Sequence, residues 1–374
     1  MAENPRDDSS EQSVIHPSDK IELVDAYPMD LPAPDSPGDF PPDANPEESS
    51  PVPEYPTNSY PETLYPTNRV GILDAYRNVI IDRQFDVSAG LQPLWMFHAG
   101  VIHLDRVTED SYSMMQNVSA ASERLNASDF NFDWTTGFEF DLISRWWDND
   151  GIEFRVLSTT NLNASEQVPM TATSLQINAS PPIFAPNVTQ LNGRYRSEMS
   201  SWEFNYHHWI ARYSTGMIGF RYINLDDDLG VTIASIPTSY DYNVMTRNDL
   251  YGIQIGWLGG PRVCWGGMIV SAAAKGGVYA NAVRHNATFD TGAIALPIRE
   301  SNTNLSWMAE ASLLAELPVT RYLSVTGGYT MLWFDQIAVA SDQLPQSDFL
   351  NGSGYDDGGT ALLHGAVGGI ELRF

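Results

Sequence analysis

The sequence predicts an all-β protein: a closed antiparallel transmembrane β-barrel of about ten strands (alternatively twelve), behind a disordered acidic, proline-rich tail. Three observations carry that expectation. Apolar residues recur with a period of two, connections alternate between long and short, and tryptophans gather near the proposed strand ends.

The period is clearest over 305–317. Leu305, Trp307, Ala309, Ala311, Leu313, Ala315 and Leu317 share one parity, against Ser306, Met308, Glu310, Ser312 and Glu316. Trp134, Phe138, Phe140 and Leu142 likewise oppose Glu139 and Asp141, and Trp202, Phe204, Tyr206, His208 and Ile210 oppose Glu203, Asn205 and His207. Alternation of this kind marks strands with one face in an apolar medium. Ten segments qualify: 91–104, 132–146, 151–158, 200–212, 216–225, 246–258, 263–275, 303–317, 321–335 and 358–374. Most can cross a bilayer at a tilt, which takes ~9–11 residues.

Short connections carry turn chemistry, as in Asp148-Asn149-Asp150, Tyr213-Ser214-Thr215, Gly259-Gly260-Pro261-Arg262 and Pro318-Val319-Thr320. Long ones span 105–131, 159–199, 226–245, 276–302 and 336–357, all rich in Asn, Ser, Thr, Asp and Gly. Strict alternation sends every long loop from one rim and every short turn from the other, the asymmetry of membrane barrels. Tryptophans fit two girdles, with Trp134, Trp202, Trp307 and Trp333 toward the long-loop rim. Trp146, Trp257 and Trp265, with Trp95, Trp147 and Trp209, lie toward the other.

Composition divides the chain. Residues 1–67 hold 14 of the 24 prolines, 15 acids, two bases and no tryptophan. Such a segment cannot recover its ordering entropy and is expected to be disordered. Residues 68–90 are transitional and 91–374 form the barrel. The net charge of −27 excludes a nucleic-acid partner. Cys264 is the single cysteine, so neither an internal disulfide nor a cysteine-based zinc site is expected. Met1 is followed by neither a basic nor an apolar leader region, so the expected outer-membrane location rests on the barrel pattern and not on an export signal.

By parity the lumen receives Glu139, Asp141, Glu153, Arg155, Glu203, Asn205, His207, Arg221, Glu310, Glu316, Glu371 and Arg373. These predict ion pairs, with His207 near Arg221 and Glu153 near Arg145 or Arg155, and an acidic excess that favours cations. His98, His103, His207, His208, His285 and His364 have no Ser or Asp partner at diagnostic spacing, and His207 and His208 face opposite sides. No enzyme, cofactor or metal site is expected. Asp226-Asp227-Asp228 and Asp356-Asp357 read as solvated loop residues.

The chain ends on alternating Ile370, Leu372 and Phe374, which resembles the C-terminal signal read by the bacterial barrel assembly machinery. A wider resemblance follows. Gly219-Phe220-Arg221-Tyr222-Ile223-Asn224-Leu225, Ser201-Trp202-Glu203-Phe204-Asn205-Tyr206, Asn248-Asp249-Leu250-Tyr251-Gly252-Ile253-Gln254-Ile255-Gly256, Val325-Thr326-Gly327-Gly328-Tyr329-Thr330 and Gly365-Ala366-Val367-Gly368-Gly369-Ile370-Glu371 occur in that family's order. Together they resemble a planctomycete-type family of porin-like outer-membrane β-barrel proteins. The match spans residues 195–374, with 91–104 more loosely. It implies outer-membrane lipid and the assembly machinery as partners, with small hydrophilic solutes if the lumen is open. The expected function is a porin-like passive channel of weak cation preference. Alternatives are a structural or adhesive surface barrel without conductance, and a soluble all-β binding domain.

Overall fold

The computed structural model describes residues 94–374, apart from 108–111, 120–121, 148, 212–213, 264–267 and 321. The expected tail, the transitional segment, Cys264 and Trp265 lie outside the described residues. Twelve strands form one antiparallel sheet: β1 Leu94–Val107, β2 Ser113–Asn117, β3 Glu123–Asn126, β4 Thr135–Trp147, β5 Asp150–Ile177 and β6 Ile183–Ala211. They continue with β7 Ser214–Ser235, β8 Tyr240–Val263, β9 Ile269–Asp290, β10 Ala295–Pro318, β11 Leu323–Ile337 and β12 Gly359–Arg373. Ten of them close a ring, β1-β4-β5-β6-β7-β8-β9-β10-β11-β12, in which β12 returns to β1 and β5 joins β6. Closure leaves the ring without an edge. The remaining pair, β2 and β3, is a side hairpin attached to the far end of β5. Ten, not twelve, is therefore the barrel count.

All ten expected strands are present, but six are much longer than their alternation implied. The segment expected at 151–158 is a 28-residue strand, and β6 has 29 residues. Most of 159–199, 226–245 and 276–302 is thus strand rather than loop, with hairpin tips at 178–182, 236–239 and 291–294. The wall is uneven as a result. Strands β5 to β10 rise high on the long-loop side, while β11, β12, β1 and β4 stop after 13–15 residues.

Outward faces carry the apolar belt. Phe138, Phe204, Ile218, Phe220, Ile253, Ile255, Leu313, Val325 and Ile370 are all exposed. Trp134, Trp202, Tyr222, Tyr251, Trp307 and Trp333 border it above, and Trp95, Trp146, Tyr206, Trp257 and Phe374 below. A continuous belt of this extent is not sustained in water and fits the lipid-facing band of a membrane-spanning barrel. At the lower rim the backbone of Phe374 exchanges hydrogen bonds with Trp95, so the C-terminal residue completes the seam. Trp209 departs from the expected girdle. It faces inward, with the Arg145 guanidinium 4.7 Å above its ring.

A filled lumen in two compartments

Inside the membrane span, the parity expected from sequence brings charged residues of six strands together, with the Gln254 amide from a seventh. Arg155 on β5 donates from Nη1 to Glu310 on β10 at 2.6 Å and to Glu203 on β6 at 3.1 Å, and from Nε to Glu139 on β4 at 2.6 Å. Strands β5 and β10 stand diametrically opposite in the ring, so this ion pair crosses the lumen. Arg221 on β7 is wholly buried; it reaches Glu310 at 2.7 Å, Glu203 at 3.4 Å and the Ser201 hydroxyl at 2.8 Å. Lys275 on β9 lies 2.8 Å from Glu203. The amide of Gln254 donates to Glu203 at 2.9 Å and to Asn205 at 2.7 Å. Each buried charge is desolvated at a cost of several kcal/mol, and only multiple partners offset that.

Two expected pairings are corrected by the register. His207 is opposite Met217, not Arg221, because Arg221 aligns with Glu203. His207 Nε2 instead lies 3.0 Å from Glu153, which also accepts from the Asn205 amide at 2.6 Å, so β6 engages Glu153, while Arg155 turns to Glu139, Glu203 and Glu310. Asp141 faces inward, aligned with Arg155. Nearer the lower mouth Arg373 bonds Glu371 and reaches Glu316 at 2.8 Å, and Ser324 donates to Glu316 at 2.6 Å. The ring thus holds all eight lumen candidates, Glu139, Asp141, Glu203, His207, Arg221, Glu310, Glu371 and Arg373, on its inner face, in one main cluster and one smaller group.

Glycines make room for that cluster. A Cβ on Gly219 would sit 2.1 Å from Asn205 Oδ1, and one on Gly252 would sit 2.1 Å from the Val278 carbonyl beside the Tyr279 ring. Both glycines belong to the segments that carry the family resemblance.

Above the belt the interior is apolar. Leu191, Leu229, Val231, Val244, Phe289 and Ile298 line the tall wall, and the two surviving long connections fold against them. The first brings Phe130 and Phe132 onto Tyr195, with ring centroids 5.8 and 4.9 Å away. The second, 338–358, inserts Val339, Leu344 and Phe349 and is pinned at its base by Asn248, whose amide donates to the Ala338 carbonyl at 2.8 Å and whose oxygen accepts from the Ala338 N–H at 2.9 Å.

One polar row crosses this core in register: Ser197, Asp227, Thr246, His285 and Glu300, on β6 to β10. Asp227 is not the solvated loop residue expected. It is buried, accepts from Arg106 at 2.5 and 3.0 Å and from the Tyr195 hydroxyl at 2.7 Å, while Asp226 and Asp228 face outward. Burial opposes the charge on Arg106, yet the adjacent carboxylate holds its pKa above the ordinary value, and burial raises Tyr195. Burial lowers His285 to about 4, with Tyr355 of the 338–358 connection stacked on its ring. Sequence reasoning missed Lys275, Gln254 and the Arg106–Asp227 pair. The signal for Lys275 was available, as the one charge in the small-residue run 270–280. Among the described residues no group of three or more His, Cys, Asp or Glu is placed to hold a metal ion.

No family model matches the sequence, and no curated protein does. Solved structures similar to the chain include the outer-membrane protease OmpT from Escherichia coli, at TM-score 0.42 and 9% identity, covering 75% of this chain and 96% of that one. The translocator domain of the autotransporter NalP from Neisseria meningitidis gives TM-score 0.36 and 10% identity, covering 81% and 97%. A Pseudomonas aeruginosa FadL homologue gives 0.24 and 10%, covering 76% and 90%. Likeness at this level assigns neither family nor activity.

Proposed function

We propose that the chain is an outer-membrane β-barrel closed to solutes, whose tall wall is displayed outside the cell as a structural or adhesive surface. The observation that carries this reading is the Arg155–Glu310 pair, which joins opposite walls in the middle of the span. An apolar plug stands above it. Burial of Arg155, Glu203, Arg221, Lys275 and Glu310 at one level supports a lumen without the hydrated path that passive conduction requires. The lipid belt and two aromatic borders support the membrane location, and the short-turn rim would face the periplasm. Display is supported by the hairpin tips, the start of β6 and the 338–358 connection, where Phe184, Ile236, Ile294 and Leu350 are 57–73% exposed. Apolar residues presented this way favour a protein or surface partner.

Planar-bilayer recording tests the proposal. Folded full-length protein should insert without steady conductance. Reproducible ohmic channels would overturn it and restore the porin-like reading. That second reading has one observation behind it: Glu139, Asp141, Glu153, Glu203 and Glu310 outnumber Arg155, Arg221 and Lys275, an excess that would prefer cations if both connections swung out.

A further inference from the structure

Just above the upper aromatic row, the outward faces of β7, β8 and β9 change chemistry within two residues. Tyr222 and Tyr251 are ladder partners with stacked rings 4.8 Å apart. The next outward pair upward is Asn224 and Asp249, and beyond it lie Asp226, Arg247 and Arg284. Arg247 and Arg284 stand directly opposite one another on neighbouring strands. Like charges in that position destabilise a sheet.

Asp249 answers only part of this repulsion. It faces outward yet is 4% exposed, because its oxygens accept from the Tyr222 hydroxyl at 2.8 Å, the Asn224 amide at 3.2 Å and Arg247 Nε at 3.1 Å. Arg284 is left with a 3.8 Å approach to Asp249, and its side chain is 62% exposed. The Arg247 side chain, 45% exposed, has a further 3.8 Å contact with Asp226. Two guanidiniums therefore present unused donors to the same outward space. Arg247 bends down to Asp249, two residues above Tyr251, which on a tilted strand is about 5 Å above the aromatic row. That is headgroup depth, where a lipid phosphate sits.

We propose that Arg247 and Arg284 clamp the phosphate of an anionic lipid headgroup in the surrounding leaflet, with the Tyr222–Tyr251 stack as its floor. Guanidinium forks match phosphate oxygens bidentately, and the shared anion would neutralise the opposed charges. A lipid is the source favoured by position, since its acyl chains would lie along the apolar belt directly beneath. The inference rests on the membrane-spanning reading.

Its test uses the full chain in phosphatidylcholine nanodiscs with a minor fraction of phosphatidylglycerol. Lipid retained after detergent extraction is read by native mass spectrometry. Phosphatidylglycerol should be enriched about tenfold over its bulk fraction, the worth of one charge-assisted hydrogen bond, and R284Q should bring enrichment close to parity while R194Q, on β6, leaves it unchanged. Among the described residues Arg284 has only the 3.8 Å approach to Asp249 and no hydrogen bond, so R284Q is expected to keep the heat-modifiable mobility of the wild type. Equal retention of both lipids by the wild type, or undiminished enrichment in R284Q, overturns the clamp. Displacement of the lipid by inorganic phosphate alone would make this a free-anion site and also overturn it. Failure to enter nanodiscs at all would instead sink the membrane-spanning reading.

Discussion

The two halves of strand β6 obey opposite rules. Below the aromatic row, Trp202, Phe204 and Tyr206 point outward and Glu203, Asn205 and His207 point in; above it, Asn192, Arg194 and Arg196 point outward and Leu191, Tyr195 and Met199 point in. Strand β7 inverts the same way, from outward Phe220 and inward Arg221 to outward Asp228 and inward Leu229. No break in the ladder accompanies the change between Met199 and Trp202. What changes is the solvent on the outer face. In lipid the outer side chains gain nothing by turning inward, so the interior is free to be polar and must satisfy itself. In water the outer face is polar and the interior holds together by apolar burial, as in a soluble β-protein.

Removing a charge from the lower compartment should have the largest effect. Arg221→Ala takes one buried cation from Glu203 and Glu310, leaving them to Arg155 and Lys275, and should cost about 3 kcal/mol in a urea titration of vesicle-folded protein. Arg221→Met combined with Glu310→Leu removes the charges together and should cost less than Arg221→Ala. Equal costs for the single and double variants would show that the cluster is not held by its ion pairs.

A smaller effect tests the solvent boundary itself. Ala311 and Thr303 are both exposed on the same face of β10, eight residues apart. Ala311→Arg should cost about 2–4 kcal/mol if Ala311 lies near the bilayer midplane. Thr303→Arg, above the belt, should stay within about 0.5 kcal/mol of the wild type. Similar costs at both positions would place the boundary elsewhere.

The inversion also explains how much of the molecule was legible in the sequence. Strand number, closure, the lumen-facing set and both aromatic borders follow from alternation with one parity apolar. At Trp202 that parity flips, so 183–199 reads as a polar connection although the period of two continues through Tyr195, Leu191 and Val188. Asp226-Asp227-Asp228 misleads for the same reason: as a run it reads as a solvated loop, yet in a strand its middle member faces inward toward Arg106. Partners across the lumen were not legible at all, since Arg155 and Glu310 are 155 residues apart and nothing local announces their meeting.

Acid should distinguish the two compartments most gently, through the upper one. His285 is 1% exposed, neither ring nitrogen has a hydrogen-bond partner among the described residues, and Tyr355 covers its ring. Across the ladder it faces Thr246 and Glu300, and Glu300 accepts from the Gly354 N–H of the covering connection at 2.7 Å. Burial takes its pKa from 6.5 to about 4, with Glu300 pulling weakly the other way. A histidine depressed in this way leaves the opened state holding more protons as pH falls below 6.5. Stability of the covered state is therefore complete above that pH and declines steadily toward pH 4. Limited proteolysis within 338–358 should accelerate over that window, while His285→Leu, which cannot take up a proton, should flatten the profile. An unchanged profile in His285→Leu would assign the acid response to another group.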